Sequence, residues 1–210
     1  MSRDTRNRIL VTSLLLFNEQ GEPHTAINDI ADELDISPGN LHYHFRKKAE
    51  IVEALLAEFR ADATRILTPP GAQHDAVEEF WMFLHQLLEC TVAYRFLFRD
   101  TEALAQSYPA VARAMGHFAR GLVAVFELHL RAMSESGAIE LDLENAGAVS
   151  RRMAVIALFS DRLDALVEGQ LPADEIAVRA AGGILAMLRL LASAEAVAHF
   201  DALAAHYGKP

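Results

Sequence analysis

Ser37-Pro38-Gly39-Asn40-Leu41-His42-Tyr43-His44-Phe45, preceded by Asp35-Ile36 and followed by Arg46-Lys47-Lys48, is the stretch that decides the fold. Ser37 is a good N-cap, and Pro38 suits the first helical position, where its missing N–H costs nothing. A short helix therefore starts abruptly and runs from Pro38 to about Arg46. Leu41 and Phe45, at i and i+4, form its buried side. Upstream, Thr25 is placed as the N-cap of another short helix carrying Ile27, Ile30, Ala31 and Leu34. Two short helices joined by a tight turn make a helix-turn-helix. The first packs crosswise and leaves the second free to enter a major groove. Gly39 and Asn40 lie in its first turn, where backbone N–H groups and small side chains approach base edges or phosphates. His42, Tyr43 and His44 add hydrogen-bond donors, and Lys48 opens the next helix within reach of a DNA backbone.

Helical periodicity continues in both directions, with no convincing alternating strand. A first helix, about 3–19, puts Ile9, Leu10, Ser13, Leu16 and Phe17 on one side and is stopped by Gly21 and Pro23. From Lys48 to about Leu67 a longer helix carries Ile51, Leu55, Phe59, Ala63 and Ile66 at core spacing. Thr68-Pro69-Pro70-Gly71 is the clearest break in the chain. Later helices are expected at about 74–93, 95–106, 109–135, 143–168, 172–192 and 195–207. The helix from Val111 shows a clean stripe of Met115, Phe118, Leu122, Phe126, His129 and Met133. Ile176–Leu191 is apolar nearly all round, so it needs cover on both sides, from its own subunit or a second one. The expected fold class is all-α. A helix-turn-helix three-helix domain (1–47) precedes a larger helical body (48–210), the regulatory and dimerisation domain that the resemblance described below implies, with helix 48–67 connecting them.

Composition agrees. A chain of 210 residues buries roughly 70% of its unfolded surface on folding, enough for a core without metal or disulfide help. With 52% hydrophobic and 23% charged residues it is not disordered. The single Cys90 excludes an intrachain disulfide and suits a reducing cytoplasm. No uncharged apolar run reaches membrane-spanning length, and the N-terminus lacks a cleavage site, so no membrane partner is expected. Net charge is −10, but residues 1–50 hold 6 basic and 8 acidic residues, leaving most of the excess to the remainder. Arg3, Arg6 and Arg8 form one small phosphate-facing patch, and Arg46, Lys47 and Lys48 a second.

Taken together, Ile9-Leu10, Leu16-Phe17, Gly21, Thr25, Ile30-Ala31 and Ile36 through Lys48 resemble the N-terminal DNA-binding domain of TetR-type (tetracycline-repressor-like) regulators. The resemblance implies a homodimeric repressor that binds a palindromic double-stranded operator and is released by a small-molecule effector in the C-terminal body. By position it implies operator-facing roles for Asn40, His42, Tyr43 and His44, with Thr25, Ser37 and Gly39 beside them, and a phosphate contact for Lys48. Position 42, often Tyr in the family, is His here, a departure that leaves two readings of a backbone contact at this position, a weaker one or a pH-sensitive one. Two recognition helices must then sit about 34–36 Å apart. A ligand that shifts helix 48–67 changes that spacing, provided it binds the splayed state more tightly. Helices 143–168 and 172–192 are the candidate dimer interface. Gly182-Gly183 would permit close backbone approach there, or else relieve crowding within one subunit.

Other chemistries are poorly supported. His42 and His44 point about 200° apart on a helix and cannot chelate one metal together. His85/Glu89 and Glu195/His199 have the i,i+4 spacing of surface pairs. No nucleophilic triad, phosphate-cradling glycine loop or hydrolase signature occurs, so neither enzyme activity nor a cofactor is expected. Trp81, His85, Tyr94, Phe98, Met115, Phe118, Phe126, His129 and Met153, with Cys90 and Phe96, are candidates to line a ligand pocket, and most of them are expected to be simply core. The acidic, largely apolar composition hints at a neutral or cationic apolar effector. Cys90 is treated as a small apolar residue. Arg99-Asp100 is an adjacent pair, and Arg151, Arg152, Asp161 and Arg162 a solvated or subunit-facing charge set. The rival expectation is a helical small-molecule-binding or scaffold protein whose helix-turn-helix does not engage DNA.

Overall fold

A computed structural model describes residues 2–71, 75–169 and 171–207. Among them all regular structure is helical, apart from an isolated antiparallel bridge between Ile139 and Ala192. No described helix is long and apolar enough to cross a membrane. Packing divides the chain into two compact units, Met1–Ala63 with Ala93–His117, and Thr64–Val92 with Phe118–Pro210. The 1–47 and 48–210 division expected from function therefore differs from the division by packing, which groups most of the connecting helix and residues 93–117 with the helix-turn-helix.

In the first unit, α1 (Ser2–Gln20) buries Ile9, Leu10, Ser13, Leu16 and Phe17. It ends at Gly21, whose φ of 93° is left-handed backbone that glycine adopts freely. A 3-10 turn, Glu22–His24, leads to α2 (Ile27–Glu33), α3 (Pro38–His44) and α4 (Lys48–Ile66). The expected single helix over 95–106 is instead two, α6 (Arg95–Arg99) and α7 (Thr101–Ser107). The chain breaks at Asp100, whose φ of −105° and ψ of 20° leave the helical region, beside an Arg99 that pairs with its carboxylate and reaches the carbonyls of Phe17 and Asn18. Phe17 packs on Phe96, and Phe59 takes Tyr94 and Phe98 edge-on.

The second unit holds α5 (Ala76–Ala93) up to Val92, α8 (Pro109–Glu135) from Phe118, α9 (Ala146–Glu168), α10 (Ala173–Arg189) and α11 (Val197–Ala205). The expected start of α5 at residue 74 lies outside the described residues. A short 3-10 turn, Leu143–Asn145, precedes α9, because the Asp142 side chain accepts from the Glu144 N–H and tightens the entry. Phe80, Leu84, Phe118, Leu122 and Phe126 are fully buried. Gly183 belongs to the crossing of α10 with α9: a Cβ there would lie 3.3 Å from Ile156. Gly182 faces open space.

Candidate nucleic-acid interface

The helix-turn-helix is built by signals only a few residues apart. After α2, Asp35 takes a left-handed φ of 53°, a conformation short polar side chains tolerate, and Ile36 N–H bonds back to the Ala31 carbonyl at 3.0 Å. Ser37 then caps α3, its Oγ accepting from Asn40 N–H at 3.2 Å. Leu41 and Phe45 are buried as expected, and they fix which side of α3 faces out. Gly39, Asn40 and His42 are exposed, His44 is half-buried, and Tyr43 is 79% exposed. The Tyr43 and His44 rings meet edge-on at 5.2 Å.

Cations flank this face. Arg6 lies over the Phe45 ring at 4.9 Å, which ties α1 to the end of α3. Arg8, Arg46 and Lys47 are exposed, while the Arg3 side chain lies outside the described residues. The Arg46 N–H donates to Glu50 Oε2 at 2.9 Å, capping the entry to α4.

Two expected site residues point inward instead. Thr25 is 1% exposed and its hydroxyl donates to the Gly21 carbonyl at 2.9 Å. That hydroxyl is committed upstream, so the start of α2 is closed by Asp29, which accepts the Ala26 N–H at 2.6 Å. Lys48 Nζ donates to the carbonyls of Glu22 (2.8 Å) and Thr25 (3.0 Å) and pairs with Glu22 Oε1 at 3.0 Å. An ammonium has three protons. All three have protein acceptors here, so Lys48 anchors the hairpin rather than offering a free donor to phosphate.

Residues 9–55 match the model of bacterial regulatory proteins of the tetR family, and residues 58–200 match the TetR model described as a bacterial transcriptional repressor. The chain belongs to the TetR family. Over 59 residues it is 30% identical to the probable HTH-type transcriptional regulator YttP of Bacillus subtilis (strain 168), a match covering only 28% of either chain. A TetR-family transcriptional regulator from Marinobacter aquaeolei VT8 superposes with a TM-score of 0.85 at 26% identity, covering 98% of this chain and 99% of that one. CprB from Streptomyces coelicolor, solved with its operator, shares the fold at a TM-score of 0.68, with 16% identity over 98% and 96% of the two chains.

The candidate pocket residues of this TetR-family chain are divided between the two units. Tyr94, Phe98 and Met115 lie in the first unit, and Tyr94 Oη donates to Asp62 Oδ2 at 2.7 Å within its core. His85 is exposed and pairs with Glu89 at 3.4 Å, as an i,i+4 surface pair. His199 turns instead to Glu78, at 3.0 Å, rather than to the expected Glu195. Trp81 stacks on His85 and also meets His206. Phe118, Phe126, His129 and Met153 are buried in the second unit. There His129 is stacked on Phe83 at 4.7 Å and edge-on to Phe80 at 5.5 Å, and its Nδ1 has no hydrogen-bond partner. Phe80 and Phe83 were not singled out from sequence, because their α5 stripe looks like any core helix. Burial pushes the Cys90 thiol up to about 12, with Arg65 opposing, so this buried thiol is inert.

Proposed function

We propose that the chain is a ligand-responsive repressor, acting in the cytoplasm as a homodimer on a palindromic operator, without catalytic activity. The observation that carries this is the outward face of α3: Asn40, His42 and an almost fully exposed Tyr43 stand opposite the buried Leu41 and Phe45. A large aromatic left in water on a seven-residue helix has no packing purpose, and hydrogen-bonding side chains beside it suit base edges. Gly39 lets the backbone approach closely, and the Ser37 hydroxyl proton is free for a phosphate. Arg46 and Lys47 take the phosphate role that Lys48 does not. The operator complex of CprB supports the same use of this fold.

The proposed dimer forms through α9, where Val155, Phe159, Leu163, Leu166 and Val167 are exposed on one helix. The proposed effector site is the Phe80, Phe83, Phe126 and His129 cluster, which suits a neutral apolar molecule with one group able to bond the unpartnered Nδ1.

Selection from a random duplex pool, followed by sequencing of the bound fraction, tests the operator reading. The expected result is an enriched inverted repeat with half-sites about one turn apart. Asn40→Ala and Tyr43→Ala should then weaken binding to that duplex about tenfold and relax its sequence preference. Lys47→Ala should weaken all duplexes alike and lower the salt slope by about one unit. Folded dimer that enriches nothing would favour the helical ligand-binding or scaffold alternative.

A further inference from the structure

Glu22 sits in the 3-10 turn after α1 and is 3% exposed. A carboxyl so enclosed needs partners, and it has them from two distant segments. Its Oε1 accepts from Tyr108 Oη at 2.6 Å and faces Lys48 Nζ at 3.0 Å. Lys48 in turn reaches back to the Thr25 carbonyl at 3.0 Å. That bond closes a loop containing all of α2 and α3, since α2 begins just after Thr25 and α4 begins at Lys48. The placement of the recognition helix thus depends on Lys48, that of Lys48 on Glu22, and that of Glu22 on Tyr108.

A second set of bonds holds the same two stretches of chain together. Arg99, at the end of α6, donates to the carbonyls of Phe17 (3.0 Å) and Asn18 (2.9 Å) in the last turn of α1. The Asn18 side chain donates to the Ala93 carbonyl at 2.8 Å and accepts the Phe96 N–H at 3.0 Å. Gly21 leaves room for this approach: a Cβ there would lie 3.3 Å from Arg99 Nη2 and from Asp100 Oδ2.

Resting on the operator-binding reading above, we propose that Tyr108 is a positioning residue for operator recognition, holding Glu22 so that Lys48 clamps the two ends of the α2–α3 hairpin. Burial, reinforced by the bond to Glu22 and its charge, raises the phenol above its ordinary range, so Tyr108 remains a donor at any physiological pH. The residue also stands directly before α8, its carbonyl accepting the Val111 N–H at 2.9 Å. Tyr108 Oη thus links the start of that helix to the hairpin.

Tyr108→Phe keeps the ring and removes only the donor. Its affinity for the duplex enriched by the wild-type protein should fall about tenfold, as expected for losing a hydrogen bond to a charged group. Affinity for arbitrary duplex and its salt slope should not change, because non-specific binding needs charge but not placement of α3. A merely structural loss lowers both affinities together and leaves their ratio alone. Ser13→Ala provides that comparison: it deletes a buried hydrogen bond of the same unit, Oγ to the Ile9 carbonyl at 2.7 Å, which joins no second segment. The ratio of enriched to arbitrary affinity should drop for Tyr108→Phe and hold for Ser13→Ala. A ratio for Tyr108→Phe within twofold of wild type, or an equal drop in Ser13→Ala, overturns the inference. A folded wild-type protein that enriches no duplex overturns the operator reading itself, a separate result obtained before any variant is made.

Discussion

His129 is 2% exposed between phenylalanine rings, and burial holds its imidazole down to about 4, with Glu79 pulling weakly the other way. An unfolded histidine titrates near 6.5. Above that pH both states are neutral and the residue does not affect pH dependence. Between about 6.5 and 4 the unfolded chain binds a proton that the native chain refuses, so stability falls as pH falls through this window and levels off below it. The full drop is on the order of 3 kcal/mol. His129→Leu should flatten that part of the profile and also remove the unpartnered Nδ1. Urea midpoints from pH 7 to pH 4 would read it, and a variant with the wild-type slope would show that other groups set the acid limb. A histidine in a hydrophobic stripe was visible from sequence. The stacking that isolates it was not, since it depends on Phe80 and Phe83 from another helix.

Among the elements, α3 was the most legible and the α6–α7 pair the least, and the difference is one of range. Ser37, Pro38, Leu41 and Phe45 fix the start and the buried side of α3 within nine residues. Ser37→Ala removes the only side-chain cap on a seven-residue helix and should cost about 1 kcal/mol. Amide exchange at Asn40 and Leu41 should rise more than elsewhere, and unchanged protection there would mean that Leu41 and Phe45 hold the helix alone. The break at Asp100 has no comparable local signal, because Arg99 is drawn away by carbonyls some eighty positions earlier in the chain. Thr25 misled for a related reason: Thr is a good cap in isolation, but here its hydroxyl already serves Gly21. Lys48 likewise looked like a phosphate contact, until the buried Glu22 supplied a nearer anion.

At the scale of the molecule, helical class follows from periodicity alone, whereas the grouping of helices does not. The Glu22–Tyr108 bond spans 86 positions and leaves no trace in any local pattern. The face of α9 lies between these cases. Sequence marks 143–168 as a candidate interface, but only the fold separates Met153, Ala154 and Leu158, which are buried, from Val155, Phe159, Leu163 and Leu166, which are not. Leu163 is 63% exposed and Leu166 is 86% exposed within the single chain. An apolar stripe of this length in water is a liability for a monomer and an interface for a dimer. Leu163→Glu should therefore shift sedimentation from dimer to monomer at micromolar concentration. It should also cost more operator affinity than any single contact on α3, because in the proposed dimer two linked heads would bind one palindrome with a high effective concentration. Leu15→Glu is the matched control: Leu15 is 62% exposed on α1, and the same charge there should leave the mass unchanged. If Leu163→Glu sediments with the wild-type dimer, the subunits meet elsewhere. If the wild-type protein is itself a monomer, α9 must be covered by something other than a second copy.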